Sequence, residues 1–292
     1  DLTRRMLATD QLSDRIGTVA VPELVQAVKD VDSTLTRVHA LWVLHRLGKT
    51  TSRQLLAAAI DRDALVRNHA MRVISESSSW STVLRQGVVR GLQDENPLVR
   101  RSAAGAIAQH LDAKTVQPLL DALQTIPVAD AHLRQACRLA LRNQLQVNET
   151  FAQVQQLALT AADSQTIASV AFGVKSSEAA EFLIAYLVEN QGKNEITPAV
   201  VRDYLSHAAK YLKIEQIERV VQVAQTSVPD DLDLQLTLLL SVQQSLQQRG
   251  QPKTPAVQQW GKVLAERLLV SFDLNVAVWS NSGVSNPWGL QP

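Results

Sequence analysis

Two histidines, four arginines and one cysteine are the side chains of this 292-residue chain whose types and spacing could do chemistry. His39 and His69 stand at equivalent places in two related stretches, Arg37-Val38-His39-Ala40 and Arg67-Asn68-His69-Ala70. Imidazole is the commonest metal ligand and the usual proton relay near neutral pH. A shared site is therefore the sharp reading. No carboxylate recurs beside either histidine, and 30 residues separate them on what would be parallel stacked helices. Structural histidines with satisfied ring nitrogens are the expectation adopted. His45, His110, His132 and His207 show no spacing that suggests a site.

The arginines form a longer series. Arg37, Arg67, Arg100 and Arg134 recur at intervals of 30, 33 and 34 residues. A row of guanidinium groups could bind phosphate or carboxylate, whose geometry the planar fork matches. The alternative is internal. Each arginine follows an acidic or amide residue at the preceding turn (Asp32, Asp63, Asn96, Asp130), so neighbouring repeats could pair arginine with aspartate and tie the turns together. A structural ladder of Arg37, Arg67, Arg100 and Arg134 with Asp63 and Asp130 is the reading adopted.

Cys137 takes the slot that Ala40, Ala70 and Ala103 fill in the other stretches, which predicts a buried thiol packed as a small apolar group. One cysteine provides no disulfide, zinc site or thiolate-held cluster. Trp42, Trp80 and Trp260 are expected to fill gaps between helices. Trp279 and Trp288 lie outside the helical pattern and are the candidate contact residues. No phosphate loop, dinucleotide glycine motif, nucleophile elbow, His-Glu-x-x-His or EF-hand loop occurs. No catalytic, cofactor-binding or metal-binding residue is named on this reading.

The elements that must position these side chains follow from the period. A motif recurring every 30–34 residues marks stacked helix pairs, each too small to bury its apolar face alone. Apolar residues make up 46% of the chain and aromatic ones only 4%, suited to close helix packing. Eleven glycines and ten prolines are too few for a turn-rich all-β protein. Helix pairs are predicted at Leu2–Arg15 with Pro22–Lys29, Thr36–Leu47 with Ser52–Ile60, Ala64–Ser75 with Trp80–Leu92, Pro97–Leu111 with Ala113–Thr125, and Ala131–Leu145 with Phe151–Thr160. Three divergent pairs follow: Ser164–Val174 with Glu178–Asn190, Pro198–Leu212 with Glu215–Gln225, and Leu232–Gln248 with Pro255–Val270. Pro198-Ala199-Val200-Val201-Arg202 echoes Pro97-Leu98-Val99-Arg100. Gly48 suits a helix end, and Asn96, Asp130, Thr197 and Thr254 suit N-caps.

The expected class is all-α, a right-handed α-α superhelix of about eight helix pairs, covering residues 1–270. Its best repeats are 33–145 and its divergent ones 160–270. Residues 271–292 are expected to be a tail or the start of a following β-rich domain, because Asn275-Val276-Ala277-Val278-Trp279 alternates like a strand and Ser280–Pro287 is polar and turn-rich. The opening Asp-Leu-Thr-Arg-Arg and the closing Asn-Pro-Trp-Gly-Leu-Gln-Pro read as cuts through a longer protein. No apolar run spans a bilayer. Net charge is +1, with +4 on residues 1–150 and −3 on 151–292, a weak asymmetry where nucleic-acid binding calls for a basic stripe.

Asp63-Ala64-Leu65-Val66-Arg67-Asn68-His69-Ala70 and Asn96-Pro97-Leu98-Val99-Arg100-Arg101-Ser102-Ala103 resemble the HEAT-repeat consensus, over residues 33–145. A narrower likeness covers roughly residues 1–150. Arg5-Met6-Leu7-Ala8-Thr9-Asp10-Gln11-Leu12, Val21-Pro22-Glu23-Leu24 and Arg37-Val38-His39-Ala40-Leu41-Trp42-Val43-Leu44 look like the HEAT region of planctomycete-type membrane-bound dehydrogenases. In that family a sugar-dehydrogenase-type propeller precedes the HEAT region and a c-type cytochrome domain often follows. The resemblance implies an extracytoplasmic or periplasmic scaffold, with oxidation of a sugar or alcohol and electron transfer to haem carried by other domains. This chain has no Cys-x-x-Cys-His and no propeller blades, so no cofactor is expected in it and no catalytic residue carries over.

Two functions compete at this point. One is a non-catalytic docking module whose second helices line a concave face for a protein or for neighbouring domains of the same chain. The other is a HEAT-like nucleic-acid binder or DNA-base-excising enzyme, with Trp42 or Trp80 set in a basic stripe. A HEAT-like lyase, or a chaperone for a cofactor-bearing partner, is a third possibility.

Overall fold

The computed structural model describes residues 2–251 and 254–281. Every regular element among them is helical and none is a strand. The chain divides into two compact units, residues 1–166 and 167–292. The repeat pattern predicts a solenoid over 1–270; the division falls where the repeated motif gives out.

Unit 1 opens with α1 (Leu2–Asp10), a π-helical turn (Gln11–Ile16) and a 3₁₀ turn (Gly17–Ala20), then α2 (Val21–Ala27). The pairs α3 (Thr34–Arg46) with α4 (Ser52–Ala59) and α5 (Ala64–Glu76) with α6 (Thr82–Gly91) follow. After them come α7 (Pro97–Gln109) with α8 (Val116–Thr125), and α9 (Ala131–Leu145) with α10 (Asn148–Val154). The first helices pack in chain order, α3 on α5, α5 on α7 and α7 on α9, while α2, α4, α6 and α8 each pack against the first helix that follows.

Small side chains make this stacking possible. Ala70, Ala103 and Ala140 are fully buried in the seam together with Val73, Val99 and Ile107, and Cys137 is buried among them as its alanine-like slot predicted. Local signals set the ends. Ser33, Asp63, Asn96 and Asp130 each accept a backbone N–H of the helix they precede. Thr51 and Gln54 form a reciprocal capping box on α4. Gly48 closes α3 at φ +64°, in the left-handed region that a side chain disfavours.

Helix α11 (Ala161–Ala171) runs across the unit boundary. Unit 2 continues with α12 (Ser177–Glu189), α13 (Pro198–Tyr211), α14 (Ile217–Ser227), α15 (Leu232–Gln248) and α16 (Pro255–Asn281). Helix α13 packs on α12 and α15, and α16 packs on α14 and α15. One expectation is corrected here. Residues 275–279 are helical, the continuation of α16, where their alternation predicted a strand. Alternating valine and alanine also suits a helix interior, and nothing between Val270 and Asn275 stops α16: Ser-Phe-Asp-Leu contains neither glycine nor proline. Trp279 therefore lies on α16, and Trp288 lies outside the described residues.

Candidate docking surface

Each arginine of the series is the fourth residue of a first helix: Arg37 in α3, Arg67 in α5, Arg100 in α7 and Arg134 in α9. From that place the guanidinium reaches back to the chain leaving the preceding second helix. Nη1 donates from Arg37 to Asp30 O at 2.7 Å, from Arg67 to Asp61 O at 3.0 Å, and from Arg100 to Asp94 O at 2.9 Å. Arg134 Nη1 donates to Ile126 O at 3.0 Å and Leu123 O at 3.3 Å. The last carbonyls of a helix lack intrahelical donors and carry the negative end of its dipole, so a cation with several N–H groups satisfies both needs.

Two of the four also bridge forward to a carboxylate. Arg37 Nη2 donates to Asp61 Oδ1 at 3.0 Å, with Nε 3.0 Å from Oδ2. Arg67 grips Asp94 with both nitrogens, Nε to Oδ2 at 2.7 Å and Nη2 to Oδ1 at 2.9 Å. The partners are thus Asp61 and Asp94, each two residues ahead of the N-caps Asp63 and Asn96 that the sequence points to. Asp63 caps α5 and accepts the Thr34 hydroxyl at 2.6 Å; Asp130 caps α9 by accepting Leu133 N–H at 3.1 Å. A capping carboxylate is turned into its own helix, whereas the residue two earlier stands in the loop facing the preceding arginine. Before α9 that place is held by Val128, so Arg100 keeps only its carbonyl contacts.

The charges respond to this geometry. The hydrogen bond that Arg67 donates to Asp94 leads the effects that raise the Arg67 pKa. Burial would raise Asp94, but the Arg67 hydrogen bond, the Asn96 N–H and the charges of Arg67 and Arg100 together hold it below the usual carboxylate range. Asp112 is held low in the same manner. Burial is outweighed there by Arg85, whose Nη1 donates at 2.7 Å, by the Lys114 N–H, and by Trp80 Nε1 at 3.3 Å.

A second set of contacts ties each first helix to the next. Thr9 Oγ1 lies 3.2 Å from His39 Nδ1, Trp42 Nε1 donates to His69 Nδ1 at 2.9 Å, and Ser102 Oγ donates to Asn68 Oδ1 at 2.7 Å. Indole is donor only, so His69 Nδ1 is unprotonated and the ring is neutral in this arrangement. Burial, then the charge of Arg5 for His39 and of Arg72 for His69, lowers both imidazole pKa values. The two histidines stand in one pocket, but each ring is committed to the neighbouring helix. Among the described residues no group of three or more histidines, cysteines or carboxylates is placed to hold a metal ion, and no helix is long and apolar enough to cross a membrane.

That pocket, of about 480 Å³, lies between α1, α3 and α5. Its lining includes Leu35, Val38, Trp42 and Leu65 together with Arg5, Arg46 and Arg72. Arg46 is neutralised by Asp10 at 2.8 Å and Asp14 at 3.2 Å. Among the described residues Arg5 and Arg72 have no carboxylate partner: Arg5 Nε is buried without an acceptor, and the Arg72 guanidinium sits 5.8 Å from the Trp42 ring. Leu35 (40% exposed), Leu65 (40%) and Leu98 (59%) are each the second residue of a first helix and form a repeated apolar stripe. The stripe was readable in the sequence two residues before each arginine, yet a leucine at helical spacing reads as core.

Two amides that carry no sequence signal do the arginines' work elsewhere. Gln235, the fourth residue of α15, donates from Nε2 to Gln225 O at 3.0 Å and Val228 O at 3.1 Å, closing α14, while its Oε1 accepts Trp260 Nε1 at 2.9 Å. Gln144 donates to Ile107 O at 2.8 Å and His110 O at 3.2 Å, closing α7. The echo at Pro198–Arg202 is one residue out of step. Val201 takes the fourth place of α13 and is buried, while Arg202 is exposed and pairs with Asp203 at 2.8 Å. No family model matches the chain, and no curated protein matches it.

Proposed function

We propose that the chain is a HEAT-like α-solenoid that works as a non-catalytic docking scaffold, belonging to a larger extracytoplasmic oxidoreductase of the sugar- or alcohol-dehydrogenase type whose haem and catalytic domain lie elsewhere. The observation that carries the docking role is the repeated exposure of Leu35, Leu65 and Leu98 beside a pocket with two uncompensated arginines. A packed helix array gains nothing from leucines left in water, and a patch of this kind on a rigid scaffold suits a partner. On this reading the docking face is that of the first helices, where the sequence suggests the second-helix face.

The solenoid reading is supported by the chain-order packing of α3, α5, α7 and α9 and by the arginine joints between them. Small-angle scattering tests it: a compact chain of this length has a radius of gyration of about 19 Å, and a solenoid should exceed that clearly. The oxidoreductase setting is tested by reading the gene on either side of this region. Strand-rich propeller blades before it and a Cys-x-x-Cys-His motif after it are the expected result; flanks lacking both would remove that setting. The nucleic-acid alternative gains little from the tryptophans, since Trp80 is stacked on His110 at 4.3 Å and Arg46 beside Trp42 is already neutralised.

A further inference from the structure

We infer that the first-helix face of unit 1 binds an extended, acidic segment of a partner protein with an apolar side chain at every third position, the apolar groups resting on Leu35, Leu65 and Leu98 and the carboxylates on Arg5 and Arg72. This deepens the docking role argued above and rests on it. The pocket is one end of a longer feature: the leucine stripe runs on to Leu98 in α7, beyond the pocket wall. A small molecule would use the pocket alone, whereas a polypeptide uses the whole stripe.

Spacing sets the form of the segment. Packed helices lie ~8–10 Å apart, so successive leucines present contacts at about that interval. A polyproline II chain advances about 9 Å in three residues, returning every third side chain to the same face. Trp42, half-buried in the pocket, offers the kind of aromatic wall on which such chains dock. Charge sets the sign. Among the described residues Arg5 and Arg72 have no carboxylate partner, while Arg46, already paired, adds no net field. His69, neutral where its Nδ1 accepts the Trp42 N–H, adds no charge beside those two arginines.

The test is fluorescence anisotropy of the whole chain with a labelled (Leu-Glu-Pro)₄ peptide, compared with (Leu-Gln-Pro)₄, (Ser-Glu-Pro)₄ and an oligothymidylate of equal length. Saturable binding of the first peptide, weakened about tenfold or more in both peptide controls, is the expected result. Arg72→Gln and Leu98→Ser change exposed side chains and should each weaken binding about fivefold or more at an unchanged unfolding midpoint. If either variant fails to fold, the control peptides on the unaltered chain carry the same comparison. No saturation by roughly 1 mM peptide, equal binding of the neutral or serine peptide, or tighter binding of the oligothymidylate would overturn the inference. Failure here with propeller and haem flanks present leaves the oxidoreductase setting standing; peptide binding without those flanks leaves this surface standing and removes the setting.

Discussion

Arg67 is where the ladder is strongest, and the distances say why. Its side chain and that of Asp94 are 11% and 12% exposed, and the contact is bidentate. Removing one member of a buried pair leaves the other charge uncompensated, at a cost of ~3 kcal/mol or more. Arg67→Ala should therefore lower the unfolding midpoint by roughly 5–10 °C. Arg100→Ala loses hydrogen bonds to backbone and a weaker attraction to Asp94, with no carboxylate bridge broken, and should cost about 1–2 kcal/mol. Equal midpoints for the two variants would contradict the forward bridge to Asp94. Cys137 supplies a second test at this scale. Burial foremost, with the charge of Asp130 adding, pushes its thiol up to about 11, and the sulfur is sealed in the seam. A thiolate-specific reagent should leave it unmodified at pH 8 in the native chain and label it once denaturant is added.

Between neighbouring helices, the tolerances are set by two glycines of α6. A Cβ at Gly87 would stand 2.8 Å from Leu56 Cδ2, the far end of a side chain that can rotate away. A Cβ at Gly91 would meet Ala103 Cβ and Met71 Cε, both at 3.0 Å, and the alanine has nowhere to go without moving α7. Replacing a helical glycine with alanine otherwise gains about 1 kcal/mol of helix propensity. Gly87→Ala should thus be near neutral, while Gly91→Ala should be destabilising by ~1–2 kcal/mol from overpacking; denaturant titration of both variants separates the cases. These element-level features divide what was legible in the sequence from what was not. The helices themselves were readable because caps such as Asn96 and Asp130 and the alanine-rich seam are local signals. Arg37 and Arg67 were readable as joints, but their partners were not: the sequence cannot tell a capping carboxylate turned inward from one two residues earlier turned outward. Gln235 and Gln144 escaped because an amide has no charge to mark it, although Gln235 holds the same helical place as the arginines. The strand expected at 275–279 failed because five alternating residues cannot be told from a helix face.

At the scale of the whole molecule, the two units carry different ionisable burdens, so acid should act on them at different points. In unit 1, Asp63, Asp94 and Asp112 have folded pKa values below their unfolded ones. Their stabilisation is complete above the ordinary carboxylate range and is lost as the pH falls through ~4 and below. Unit 2 contains His207, buried beside Phe172 and Tyr211 with its Nε2 lacking a partner. Burial, aided by the charge of Lys210 and opposed by a hydrogen bond to the Val174 backbone, lowers its pKa from 6.5 to about 4. Between those two values the unfolded chain binds a proton at this ring that the folded unit refuses. Stability from this group is therefore full above pH 6.5 and falls as the pH drops toward 4, by about 3 kcal/mol at most. His39 and His69, lowered in the same sense, add a slope of the same sign in unit 1, so the decisive comparison is within unit 2. Hydrogen exchange followed by peptide from pH 7 to pH 4 should show protection falling in α13 and its neighbours α12 and α15, and His207→Gln should flatten that loss while leaving the exchange profile of α5 and α7 unchanged. A histidine-independent slope in α13 would mean that the ring is hydrated in solution and that unit 2 is packed more loosely around it than its contacts with Phe172 and Tyr211 require.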